Sequence, residues 1–242
     1  MRALSALELL RAWERAYALP PVQRALALLD IASPGVEVEA LAALSIGQRD
    51  AYLLTLRGWT FGSDLSCVVT CPECGERLSF SFAVTDVLLR SSEAPAEALQ
   101  IEADGYSATF RLPNSRDLVE LERQGGGDAQ RLLERCVMHL EHGGEAVALN
   151  VVPEAVKEAV VARMAEADPQ ADVQLDLNCQ ACDHSWASPF DILSFFWREI
   201  DAWARRTVRE VHSLASAYGW READILAMSA WRRQLYLTMA DA

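Results

Sequence analysis

Two Cys-x-x-Cys pairs, Cys71-Pro-Glu-Cys74 and Cys179-Gln-Ala-Cys182, constrain this chain more than any other feature. Each stands where a strand-like apolar run meets a turn, and a second strand-like run follows. That is the layout of a zinc knuckle, and two knuckles supply the four thiolates of a closed, tetrahedral structural site. Residues 75–178 lie between the pairs, so a shared Zn2+ ties together segments far apart in sequence. A knuckle needs a residue that tolerates positive φ after its second cysteine, so that backbone N–H groups point at the sulfurs. Gly75 does this freely and Asp183 at modest cost.

Other uses of these cysteines fit less well. A thioredoxin-type redox pair starts a helix, whose dipole lowers the thiol pKa; here Gly75 and a strand-like run follow the first pair. Four of six cysteines fall in the pairs, and with no secretory leader pattern that favours metal over disulfides. His184 could replace a thiolate or hold a second ion, but beside a complete cysteine set a histidine is more often a neighbour than a ligand. Cys67, four residues before Cys71, and Cys136, in a helix-like run, both read as small buried apolar residues.

The 242 residues are 51% hydrophobic and 24% charged, which suits one large or two small globular domains. No apolar run reaches the length of a membrane helix. Met1-Arg2-Ala3-Leu4-Ser5 leads into a charged amphipathic helix rather than a signal-peptide core, so synthesis in the cytoplasm is expected. The formal net charge is −13, Lys157 is the single lysine, and no basic run exceeds two residues. That balance weighs against a duplex-binding face and favours protein partners with basic patches.

Along the chain, the first 60 or so residues read as helices. Ser5-Ala-Leu-Glu8 and Ser45-Ile-Gly-Gln48 are capping boxes, and Pro20-Pro21 separates two helical runs. Leu65 to Thr70 and Leu78 to Val84 read as strands around the first knuckle. Asp104-Gly105 joins Ala98–Ala103 to Tyr106–Leu112 in a hairpin. Ser115 to Gln124 and Asp128 to His142 read as helices around a flexible Gly125-Gly126-Gly127 joint, and Pro153 to Ala167 as another. Val173 to Asn178 and Trp186 to Phe190 flank the second knuckle. A long helix then runs from about Asp191 to Tyr218, capped at Gly219, before a final helical pair. A weak internal repeat sets Cys71 on Cys179, Cys74 on Cys182 and Phe82 on Phe190, as two similar hairpins facing each other across one metal would.

Tryptophan is dense towards the C-terminus: Trp186, Trp197, Trp203, Trp220 and Trp231. Phe195, Phe196, Ile200, Trp203, Val208 and Val211 give the long helix a broad apolar face, most simply a core face. The best candidate for a partner contact is Trp231-Arg232-Arg233-Gln234-Leu235-Tyr236, where Trp231, Arg232, Arg233 and Tyr236 are of the types that anchor interfaces. No catalytic constellation stands out. His139, His142, His184 and His212 have no nucleophile in an elbow motif, and the triple glycine lacks the lysine and Ser/Thr of a phosphate loop.

Several runs together resemble baseplate proteins of contractile-tailed phages and of bacterial contractile injection systems. These are Leu44-Ser-Ile-Gly-Gln-Arg-Asp50, Leu53-Leu54, Phe61-Gly62, and Cys71-Pro-x-Cys-Gly75. Later come Ala165-Glu-Ala-Asp-Pro-Gln-Ala-Asp172, Cys179-x-x-Cys182 with His184 and Trp186, Tyr218 to Ser229, and Trp231-Arg-Arg-Gln-x-Tyr236. Asp183 departs from the glycine usual in that family. The resemblance implies a non-enzymatic structural or assembly (chaperone-like) role at the baseplate hub. It also implies baseplate or hub proteins as partners, incorporation in a phage tail or injection particle, and no small-molecule substrate.

The combined expectation is an α+β protein. Mostly helical segments, 1–62 and 191–242, surround a zinc-ribbon-like antiparallel β unit over 63–190, with Cys71, Cys74, Cys179 and Cys182 on one structural zinc. Two other readings remain. A zinc-ribbon regulator that binds nucleic acid would use Arg198, Arg205, Arg206 and Arg209 on the long helix. A thiol-redox enzyme would carry reactive thiols and no metal.

Overall fold

The computed structural model describes residues 1–89, 96–126 and 128–240. In chain order come helices α1 (Ala6–Ala16), α2 (Pro21–Ala32), α3 (Val38–Ala43) and α4 (Ile46–Phe61), strands β1 (Asp64–Thr70) and β2 (Arg77–Ala83), and the one-turn helix α5 (Val84–Val87). Strands β3 (Leu99–Ala103) and β4 (Tyr106–Phe110), helices α6 (Ser115–Arg123) and α7 (Ala129–Cys136), and strands β5 (Val137–His142) and β6 (Glu145–Ala146) follow. Then come α8 (Glu154–Ala167), β7 (Gln174–Asn178), β8 (Ser185–Pro189), α9 (Ile192–Tyr218), α10 (Glu222–Leu226) and α11 (Ala230–Ala240). The fold is α+β, with small antiparallel sheets among helices. Among the described residues, no helix is long and apolar enough to cross a membrane.

The chain forms two units, one of Met1–Val36 with Ile192–Ala242 and one of Glu37–Asp191. This grouping differs from the expected 1–62, 63–190 and 191–242. The N- and C-terminal helices share one unit because α1 and α2 both pack on α9. Helices α3 and α4 belong with the sheets because the start of α4 is bound by residues following α8.

In the first unit, Ser5 and Glu8 cap α1 reciprocally, as their spacing predicts. Leu10 of α1, Ala204 of α9 and Leu226 of α10 form a buried cluster, with Trp13, Trp203 and Val211 packed against it. The Trp13 indole donates to the Asp201 carboxylate at 2.9 Å. The buried stripe of α9 runs through Phe196, Ile200, Ala204, Thr207 and Leu214. Val208, expected on that face, lies one residue (about 100° of helix) off it and is exposed. Gly219 closes α9 with φ +68°, as expected of a left-handed cap. Glu210 ties α11 to α9: it accepts from Arg233 Nε at 3.1 Å and from Gln234 Nε2 at 3.0 Å.

In the second unit, the sheet β3-β4-β5-β6 is covered by α8, around Ala108, Phe110, Leu133, Leu140, Val156 and Val160. The Asp104-Gly105 turn has φ of +51° and +79°, the mirror-image turn that suits a two-residue hairpin. The helix expected over Asp128 to His142 ends instead at Cys136, and Val137–His142 pairs with β4 as strand β5. Strand β5 turns back to β6 through Gly143-Gly144, at φ +60° and +86°. Of the expected triple-glycine joint, Gly127 lies outside the described residues, while Gly125 and Gly126 adopt positive φ.

Asp117 is the most strongly held carboxylate of this unit. Its side chain is 1% exposed. It accepts from both terminal nitrogens of Arg111 (2.6 and 2.8 Å), from Arg135 Nε (3.1 Å) and from the Asn114 N–H (3.1 Å). Burial alone would raise its pKa, but the Arg111 and Asn114 donors outweigh it and hold the group below the usual carboxylate range. With a depressed folded pKa, the contribution is fully present above the unfolded value near 3.9 and is lost as pH falls through the folded value. Asp117→Ala should therefore lower unfolding free energy by about 2 kcal/mol at neutral pH, because it takes a shared acceptor from the partly exposed Arg111 and Arg135 and from the Asn114 N–H. In urea melts the gap from the parent should narrow below about pH 4; a gap independent of pH would contradict the assignment.

A candidate metal centre

Strands β1 and β2 pair from Asp64↔Ala83 to Thr70↔Arg77, and β7 and β8 pair from Gln174↔Pro189 to Asn178↔Ser185. Each hairpin ends in a knuckle, and the two knuckles share one hydrogen-bond pattern. The Cys71 N–H donates to the Glu76 carbonyl (2.8 Å), and the Gly75 N–H to the Cys71 carbonyl (3.0 Å). In the second, the Cys179 N–H donates to the His184 carbonyl (2.9 Å), and the Asp183 N–H to the Cys179 carbonyl (2.8 Å). Gly75 takes φ +77° and Asp183 +56°, so the aspartate occupies the left-handed region the knuckle requires.

The knuckles bring the four predicted cysteines together, with all four sulfurs within 4.8 Å of one another. Cys71 and Cys182 are 3.8 Å apart and Cys74 and Cys179 3.6 Å. Sulfurs about 2.3 Å from a tetrahedral centre lie about 3.8 Å from each other, so the donor set fits one zinc-sized ion. The internal repeat is visible here as an approximate two-fold relation. Exchanging the hairpins carries the Cys71–Cys182 pair onto Cys179–Cys74, and the equivalent Phe82 and Phe190 meet edge to face at 5.4 Å. Each knuckle gives one buried sulfur residue, Cys71 or Cys179, and one exposed, Cys74 or Cys182.

The acidities of three of these thiols show how the crowded sulfurs strain against one another. Burial pushes Cys71 up, but the N–H groups of Cys74 and Glu73 aimed at it win, leaving it at about 7. At Cys182 the His184 N–H favours the thiolate, but burial and the three neighbouring sulfurs push it up to about 12. At Cys74 the Glu76 N–H favours the thiolate, but burial, Cys179 and Cys71 push it up. A divalent cation removes this conflict by supplying the positive charge that four adjacent thiolates lack.

His184 is outside the cysteine cluster, and its ring stacks on Trp186 with centroids 5.8 Å apart. Cys67 lies on β1 opposite Phe80, away from the four-sulfur group. Cys136 is buried at the end of α7. Neither knuckle opens a helix, the position a redox pair needs.

The family-like runs around Gly47 and Asp168 act at the ends of the hairpins away from the knuckles, a role the sequence did not announce. The Asp168 carboxylate accepts the Gly47 N–H at 2.8 Å at the first turn of α4, where a carboxylate complements the helix dipole. Two residues on, Gln170 donates to the Val87 carbonyl (3.1 Å) and accepts the Leu89 N–H (2.7 Å), fixing the segment that leaves the first hairpin. Of the proposed partner contacts, Trp231 is 73% exposed and Arg232 is exposed. Arg233 is buried on Glu210, and Tyr236 is half-buried against Tyr218 and Trp220.

Comparison with known proteins adds one match. A family model described as T4 bacteriophage base plate protein matches residues 20–197. No curated protein and no solved structure matches the chain.

Two substitutions test the centre and a third tests the tie between Gly47 and Asp168. Cys179→Ala should abolish stoichiometric zinc retention and lower thermal stability by several kcal/mol, on the order expected when a structural site loses a ligand; an unchanged melt with full folding would contradict it. Asp183→Val, a β-branched residue at positive φ, should cost about 1–2 kcal/mol in chemical denaturation. Gly47→Ala should also destabilise, because the added methyl collides with the Asp168 carboxylate and comes within 2.9 Å of the Ala171 nitrogen.

Proposed function

The chain belongs to the T4 bacteriophage base plate protein family, and from that premise we propose a non-enzymatic structural or assembly role, chaperone-like in the second case, at the baseplate hub of a contractile tail or injection system. One structural Zn2+ on Cys71, Cys74, Cys179 and Cys182 stabilises it. The observation that carries this reading is the family match over most of the chain. The four-sulfur cluster supports it, since an ion with four protein ligands keeps no open position for a substrate. The ion's work is then mechanical: it joins two hairpins whose strands pair only within themselves.

Contact with baseplate or hub proteins is expected through Trp231 and Arg232, the exposed members of the C-terminal run. Arg233 and Tyr236 hold α11 on α9 and so orient the helix that presents them. The role is tested by tagging the protein at its native locus, isolating sheathed particles, and measuring it by mass spectrometry in particles and in the soluble pool. The expected result is fixed stoichiometry in particles, for a component, or co-purification with hub proteins in the soluble pool, for a chaperone. Absence from both contradicts the proposal.

A further inference from the structure

A cavity of about 360 Å³ opens where the end of α1 and the first turns of α2 meet the middle of α9, all within the first unit. Tyr17, Arg24, Trp197, Arg198, Asp201 and Arg205 line it. Three guanidinium groups thus converge in a chain whose net charge is −13. Arg24 lies over the Trp197 ring, 4.7 Å from its centroid, and donates one terminal N–H to the Tyr17 carbonyl at 3.0 Å. Its Nε is buried and has no acceptor. Arg198 donates Nε to the Ser194 carbonyl one turn back on its own helix and meets no carboxylate among the described residues. Arg205 pairs with Asp201 Oδ2 at 2.9 Å and donates to the Tyr17 hydroxyl at 2.9 Å. The other Asp201 oxygen accepts the Trp13 indole N–H. Both oxygens of the cavity's one carboxylate are therefore engaged by other donors; Asp201 acts on the Arg24 charge through space without pairing with it, and among the described residues Arg198 pairs with no carboxylate.

We propose that this cavity is a receptor for the carboxylate side chains of an acidic segment on a partner protein. The inference deepens the assembly role above by naming the chemistry of one partner. A guanidinium held over an indole loses freedom before it binds, and its planar fork matches a carboxylate with two parallel hydrogen bonds. Tyr17 and Trp197 at the rim are residue types that anchor protein interfaces. A nucleic acid fits less well. Outside the cavity the basic surface does not continue as a free stripe, because Arg206 faces Glu210 at 3.7 Å and Arg209 turns back to the Arg205 carbonyl at 3.2 Å.

The test is a fluorescence-anisotropy titration of a labelled hexaglutamate peptide with the full-length, zinc-loaded protein at low salt. The expected result is saturable binding that weakens with salt. Arg198→Glu and Arg24→Gln should each weaken it about tenfold or more. Arg131→Glu, an equal charge change at an exposed site of the other unit, should leave binding within about twofold. Arg198 is exposed and, among the described residues, bonds to its own helix, so its variant should melt as the parent does. No binding at millimolar peptide, or equal loss with Arg131→Glu, overturns the inference. Tighter binding of an oligothymidylate with the same dependence on Arg198 also overturns it, in favour of nucleic acid. A protein found in particles that ignores the peptide defeats this inference alone. Peptide binding by a protein absent from particles and hub complexes supports the cavity while defeating the baseplate role.

Discussion

Four thiol groups crowded within 4.8 Å of one another cannot all ionise unless positive charge stands among them, and the second unit is arranged around that constraint. Two hairpins, each too small to be stable alone, present their knuckles to each other. Repeated knuckle hydrogen bonds and opposed equivalent phenylalanines make the arrangement an approximate two-fold. In that geometry backbone N–H groups favour some thiolates, while neighbouring sulfurs oppose others, from about 7 at Cys71 to about 12 at Cys182. Without a cation Cys182 and Cys74 keep their protons, and a bound cation would displace them.

The rest of this unit holds the hairpins in place. Asp168 sits at the end of α8 and binds the start of α4, and Gln170 binds the segment that leaves the first hairpin. A helix terminus, a turn and a hairpin exit are thus joined by two buried polar side chains, each with its acceptors or donors satisfied, which fixes a register more sharply than apolar contact alone. In the first unit Glu210 has a parallel role between α9 and α11. These ties give part of the family-like runs a structural meaning, since Gly47, Asp168, Gln170, Arg233 and Gln234 all lie in them.

What the sequence made legible was local. The capping boxes at Ser5 and Ser45, the Asp104-Gly105 hairpin, the Gly219 cap and the cysteine set each depend on a few adjacent residues whose chemistry permits one conformation. Strand β5 was misread for a definite reason. Leu133, Cys136, Val137 and Leu140 fall at i, i+3, i+4 and i+7, a helical pattern, and only pairing with β4 turns the last two into a strand. The Gly143-Gly144 turn was the local signal for that hairpin. The partner run was read by residue type, but which of its members face outward depends on Glu210, far away in sequence. The arginine cavity was not legible at all, because Tyr17, Arg24 and Trp197 meet only in the folded unit.

The account turns on one ion bound by four sulfurs from two hairpins. X-ray absorption at the zinc edge of the purified, metal-replete protein tests this most directly. A single shell of four sulfurs at about 2.3 Å, with one zinc per chain, is the predicted result. A mixed nitrogen and sulfur shell, or a chain that holds no zinc while all four thiols react freely, would contradict it.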